Sequence, residues 1–128
     1  MFEFSKKSQN NRDTCHSNLI ALFDTALKTS PIDFSIICGY RGKSEQDQAC
    51  IDHKSDFHFP HSKHNSSPSL ATDIQPYPYT EEDEKDPNHT KFKELSLHIQ
   101  KVAKDLGIPV INGGLDWGRD WFHWELVL

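Results

Sequence analysis

Apolar positions along the chain follow two periods, and each predicts a different element. Leu19, Leu22, Phe23, Ala26 and Leu27 recur at helical spacing between Asp13 and Lys28, and Ser30-Pro31 stops the run. A longer helix is predicted from Thr90 to Leu106: Phe92, Leu95, Ile99, Val102, Ala103 and Leu106 share one face, and Gly107 stands just past the end. Phe34-Ser35-Ile36-Ile37-Cys38 is too short for a helix and β-branched, so it reads as a buried strand closed by Gly39. Leu70 to Ile74 reads as a second strand ended by Pro76 and Pro78, and Pro109 to Asn112 as a third. Trp121 to Leu128 suits a terminal strand in the centre of the sheet, with Gly113-Gly114 turning the chain into a closing hairpin. Ser44 can cap a further helix through about His53. Lys54 to Pro68 has no periodicity and reads as a loop, and Glu81 to Asp86 as an exposed acidic loop, a calcium site being the alternative.

The order of elements predicts an α+β fold, a small antiparallel or mixed sheet with helices packed on it, in one domain spanning residues 1–128. With 14 basic and 19 acidic residues the net charge is -5, and no segment concentrates Lys or Arg as a phosphate-tracking surface would. Nucleic acid is therefore not the expected partner. Cys15, Cys38 and Cys50 form an odd set without CxxC spacing, which reads as reduced thiols made in a cytoplasm. Neither an apolar signal region at the N-terminus nor an apolar stretch of about 20 residues is present, so no export signal and no membrane span are expected.

Eight histidines exceed what packing requires and direct attention to metal chemistry. A catalytic zinc takes three protein ligands, commonly imidazole and carboxylate, and leaves one position open. His64 and Asp73 flank the turn-rich Asn65-Ser66-Ser67-Pro68-Ser69, which can bring a loop histidine back over a strand aspartate. His123 lies inside the apolar run Trp121-Phe122-His123-Trp124-Glu125-Leu126, where a buried imidazole needs a partner. Taken singly, His64 reads as a solvated loop residue, Asp73 as a turn cap and His123 as a satisfied core histidine. Asp120 precedes His123 by three positions, the wrong parity for a shared strand face, so it must lie in the preceding turn to serve the same site. From there a carboxylate can take a proton without being a ligand. Arg41, at the mouth of the first strand, offers a fixed positive charge to a developing oxyanion or a substrate carboxylate, or else forms an ordinary surface ion pair.

The segments Gly39-Tyr40-Arg41, Ser62-Lys63-His64 with Ala71-Thr72-Asp73, and Asp120-Trp121-Phe122-His123-Trp124-Glu125 together resemble the peptidase M15 family. That group includes D-Ala-D-Ala carboxypeptidases and phage L-alanyl-D-glutamate endolysins, and its fold is shared by the hedgehog signalling domain. The resemblance implies Zn²⁺ held by His64, Asp73 and His123, Asp120 as general base and Arg41 polarising the scissile carbonyl. It also implies that Ser62 orients the first ligand. Glu125 either fixes a ligand from behind or points outward, and Trp121 is a candidate for the substrate groove. The linker from His64 to Asp73 is longer than the common form, as in phage-type members, and Pro76-Tyr77-Pro78 follows it. The implied function is a monomeric zinc peptidase acting on peptidoglycan stem peptides, an endolysin made in the host cytoplasm that reaches the wall through a pore. A D-Ala-D-Ala carboxypeptidase and a zinc-binding interaction domain without catalysis are the alternatives.

Overall fold

The computed structural model describes residues 2–127, so Met1 and the Leu128 end of the expected terminal strand lie outside it. Helices α1 (Lys6–Arg12) and α2 (Ser17–Thr29) lead into β1 (Phe34–Cys38), followed by α3 (Lys43–Ile51) and a 3₁₀ turn, Lys63–Asn65. Then come β2 (Ala71–Pro76), α4 (Glu81–Lys85), α5 (Thr90–Leu106), β3 (Val110–Asn112), a π-helical turn at Gly113–Trp117, and β4 (His123–Leu126). The sheet runs β1-β2-β4-β3 with every neighbouring pair antiparallel, which places β4 in the centre as expected.

Burial alternates along β4: Trp124 and Leu126 enter the core while His123 and Glu125 face the other way. The core face meets Leu19, Leu22, Phe23 and Ala26 of α2 and Leu95 and Ile99 of α5, with Phe23 edge-on to both Phe34 and Trp124. Each fully buried Leu, Ile or Phe side chain contributes about 1.5–3 kcal/mol. Helices thus cover one face of the sheet, and the residues of opposite parity are left for a site on the other.

Several boundaries differ from the sequence reading, each for a local reason. The helix expected from Asp13 starts only at Ser17, after His16, whose Nδ1 accepts from the Asn18 amide, and an unexpected helix, α1, precedes it and ends with Asp13 as its C-cap. α1 has no apolar stripe. It is held instead by Ser8 and Asn11, whose side chains satisfy the Ile36 N–H and C=O on the open edge of β1. α3 begins after Gly42 rather than being capped by Ser44. The acidic run is a short exposed helix, not a loop, started by a capping box between Thr80 and Asp83 and favoured by four acidic residues at the positive end of its dipole. The strand expected from Trp121 begins only at His123, because Asp120 adopts φ 61° and the chain turns there.

Candidate metal centre and cleft

The strand register builds most of the site. Asp73 on β2 stands opposite His123 on β4 and opposite Cys38 on β1, where a bulge after Ile36 shifts the pairing. Residues directly opposite share a face, so these three side chains emerge in one row on the side away from the core. His64 comes from the 3₁₀ turn, which is fixed at both ends. Ser62 Oγ accepts from the His64 amide at 3.2 Å, and Asn65 Oδ1 accepts from the Ser62 amide at 3.0 Å. The Arg41 amide donates to the His64 carbonyl at 2.7 Å, tying the turn to the end of β1. Ser62 therefore sets the backbone of the turn. The imidazole itself is oriented by Gly39, a residue the sequence reading gave no such role.

Two hydrogen bonds then decide which ring nitrogens face inward. A carbonyl only accepts, so the 2.8 Å contact to Gly39 O puts a proton on His64 Nδ1 and leaves the Nε2 lone pair free in the neutral ring. His123 Nε2 donates to Glu125 Oε1 at 2.9 Å, which frees Nδ1 in the same way. The freed atoms converge on one oxygen: His64 Nε2 is 3.3 Å and His123 Nδ1 3.4 Å from Asp73 Oδ1. No donor reaches the lone pair of His64 Nε2, which is fully buried, and only in the protonated ring can that nitrogen pair with Asp73 Oδ1. A buried nitrogen in that state is costly unless something coordinates it, and two imidazole nitrogens around one carboxylate oxygen fit the donor preference of zinc.

Cys38 is a second candidate donor, since its sulfur, His64 and Asp73 offer ligand atoms within 4.8 Å of one another. The thiol, however, sits 3.9 Å from His64 Nδ1, the nitrogen already committed to Gly39, and 3.9 Å from an Arg41 nitrogen. Its recorded approach to the imidazole is thus to the nitrogen that the Gly39 carbonyl already occupies.

Burial pushes both imidazoles toward neutrality, but the Asp73 carboxylate between them outweighs it, raising His64 to about 10 and His123 to about 9. Burial likewise opposes charge on Asp73, yet the two imidazoles pull its carboxyl well below the usual range. His123 is the first cause that draws Glu125 down to about 2, against burial and with help from Lys63. Raised histidines stabilise the fold fully below their ordinary 6.5 and lose that contribution as pH rises through about 9 and 10. Lowered carboxylates stabilise above their ordinary 3.8 and 4.5 and lose it as pH falls. Metal-free protein should therefore melt highest between about pH 4.5 and 6.5 and lower steadily from pH 7 to 10. Zinc needs neutral imidazoles, so its affinity should rise over that same interval with protons released on binding. Melting curves with and without chelator across pH 5 to 10 check both; a metal-free melting temperature that rises toward pH 10 would contradict the charge assignment.

Around this cluster opens a cleft of about 640 Å³, lined among others by Arg41, His53, Lys54, Trp117, Arg119 and Asp120. Asp120 lies in the turn before β4, and its backbone carbonyl accepts from the His123 amide at 3.1 Å. Burial against the cleft wall, and then the negative charge of Asp73, raise its carboxyl pKa. Gly113 supports this turn by close approach, since a Cβ there would collide with the backbone of Arg119 and Asp120. Gly113→Ala is expected to cost about 1–3 kcal/mol of stability and to lower any activity that depends on Asp120. A melting temperature and activity equal to the parent's would show that the turn gives way freely.

Arg41 reaches the cleft but is engaged within it: NH2 lies 3.5 Å from Asp73 Oδ2, and NH1 donates to Gln46 Oε1 at 2.9 Å. Gln46 is fully buried and all four bonding positions of its amide are used, by Arg41, Asn65, Ser55 and the Phe57 carbonyl. It joins Arg41, the His64 turn and the loop along the cleft, a role with no sequence signal on a polar helix. Trp121 stacks on His89 and packs over Gly114, outside the cleft lining, while Trp124 is core. The tryptophan at the cleft is Trp117, stacked on His123 with ring centroids 5.5 Å apart.

This sheet, backed by helices on one face, is also the fold of a solved peptidase. The structure matches Serratia marcescens L-Ala D-Glu endopeptidase ChiX with a TM-score of 0.77 over 98% of this chain and 90% of that one, at 20% sequence identity. At that identity the likeness speaks for the fold. The sequence itself matches the model of the phage L-alanyl-D-glutamate peptidase family over residues 1–124, and the chain belongs to that family. No curated protein matches it significantly.

Proposed function

We propose that this protein is a zinc-dependent endopeptidase that cleaves the L-alanyl-D-glutamate bond of peptidoglycan stem peptides, with His64, Asp73 and His123 as the zinc ligands. The family assignment supports the bond. The observation that carries the metal is the pair of freed ring nitrogens, one of them buried and without a partner, converging on Asp73 Oδ1.

Zinc bound there supplies Lewis acidity, polarising a carbonyl and making water a nucleophile near neutral pH. The protein's own groups do the rest. Asp120, with its raised carboxyl pKa, takes a proton from the attacking water and passes it to the leaving amine. Arg41 holds a fixed positive charge beside the cleft for the carbonyl oxygen as it gains charge. Lys54 and Arg119 give the cleft cationic side chains suited to an anionic stem peptide. The reading extends to a phage endolysin that meets its substrate once a membrane pore opens; among the described residues no helix is long and apolar enough to cross a membrane.

The test is zinc content together with release of new amino termini from purified peptidoglycan, before and after chelation. One equivalent of zinc and chelator-sensitive appearance of D-Glu amino termini support the reading. Release of terminal D-Ala instead would make the enzyme a carboxypeptidase, and zinc without cleavage would leave a metal-binding domain.

A further inference from the structure

Lys63 adjoins His64 in the 3₁₀ turn, yet its side chain leaves that turn and crosses to β4. Its ammonium lies 2.8 Å from Glu125 Oε2 and donates to the Leu126 carbonyl at 2.7 Å. The other carboxylate oxygen, Oε1, accepts from His123 Nε2 at 2.9 Å. Glu125 and His123 are two apart on the strand and share a face, so one carboxylate spans the gap between ammonium and imidazole. Both of its oxygens are used, and the Glu125 side chain is 14% exposed.

We infer that Lys63 and Glu125 form a brace that positions the second histidine of the metal centre from the turn that carries the first. The inference rests on the zinc reading. An imidazole presents its Nδ1 lone pair inward only while Nε2 keeps its proton and the ring keeps its orientation. A carboxylate behind Nε2 enforces both. Glu125 held by His123 alone would be free to swing about its side-chain torsions. The two bonds from Lys63 remove that freedom and fix the spacing between the turn and β4. Because Lys63 and His64 are consecutive, any shift of the turn moves both ligand supports together. Lys63 and Glu125 are thus positioning residues: neither needs to touch the metal or the substrate.

Zinc affinity, measured by competition with a chromophoric chelator, tests the brace in Lys63→Met, Glu125→Gln, the double variant and Lys63→Arg. Near-UV circular dichroism confirms folding of each, and His123→Ala serves as control. Each single change should weaken zinc binding by about 10- to 100-fold, the usual cost of losing an outer partner of a ligand. The double variant should be no weaker than the worse single, because the two residues act through one contact, and Lys63→Arg should restore most of the loss. Nitrogen-15 spectra of zinc-loaded protein should show His123 coordinated through Nδ1 in the parent and a mixture of ring states in Lys63→Met. Parent-like affinity and a single His123 ring state in a folded Lys63→Met would overturn the brace while leaving the zinc site intact. If His123→Ala also bound zinc like the parent, or the parent bound none, the ligand assignment would fail and the brace with it.

Discussion

His123→Ala is expected to abolish tight zinc binding and to reduce peptidoglycan cleavage by about 10³-fold or more, since a catalytic metal supplies several kcal/mol of transition-state stabilisation and each 1.36 kcal/mol is tenfold. This position is a cleaner probe than His64. Removing His64 would leave a cavity in a buried turn and strip the Gly39 carbonyl of its donor, costing about 1–3 kcal/mol of stability in its own right. Removing His123 leaves Glu125 paired with Lys63, at a position that lines the cleft. The same experiment separates the two donor sets that share His64 and Asp73. If His123 is the third ligand, Cys38→Ser keeps its zinc and its activity. If the thiol is, Cys38→Ser loses both and His123→Ala retains its metal, the result that would sink the choice of His123.

The convergence of the candidate residues was more legible in the sequence than their supports. His123 and Glu125 were readable as one face of a strand because Trp124 and Leu126, in the alternate positions, are apolar. The parity of Asp120 correctly demanded a turn before that strand, and φ 61° at Asp120 is how the chain makes it. What escaped was whatever depends on partners distant in sequence. α1 exists because two of its polar side chains satisfy the edge of β1, and hydrophobic periodicity does not register such a helix. Gln46 looks like any polar residue on an exposed helix, but the loop folds over it and uses its whole amide. Lys63 reads as the variable residue of a Ser-x-His segment until β4 is placed beside it. Trp121 and Trp117 could not be told apart by type: the turn around Gly114 and Gly118 sends one against His89 and the other over His123. The acidic helix α4, by contrast, carried a readable signal in Thr80 and Asp83, the two ends of a capping box, which the charge of the segment obscured.

Asp120→Asn should retain the parent's zinc content and fold while kcat/KM for peptidoglycan cleavage falls by about 10²- to 10⁴-fold, the usual worth of a positioned general base. Asparagine is the informative replacement because φ 61° at this position is tolerated by Asn and strained for most other residues. Alanine would confound loss of the base with movement of the turn that also holds the His123 amide. The amide side chain keeps the size of the carboxyl but takes up no proton, so the step that fails is the transfer from water to the leaving amine. Two influences raise the pKa of the native carboxyl, as a base in that transfer requires: first the wall of the cleft and then the charge of Asp73, opposed by His123, His64 and Arg119. Restoring activity to Asp120→Asn with small external carboxylates such as formate would place the lost function in proton transfer rather than in substrate binding. An Asp120→Asn enzyme that turns over at the parental rate would instead move the base to another group; among the described residues, the only other carboxylate lining the cleft beyond Asp73 and Glu125 is Asp56.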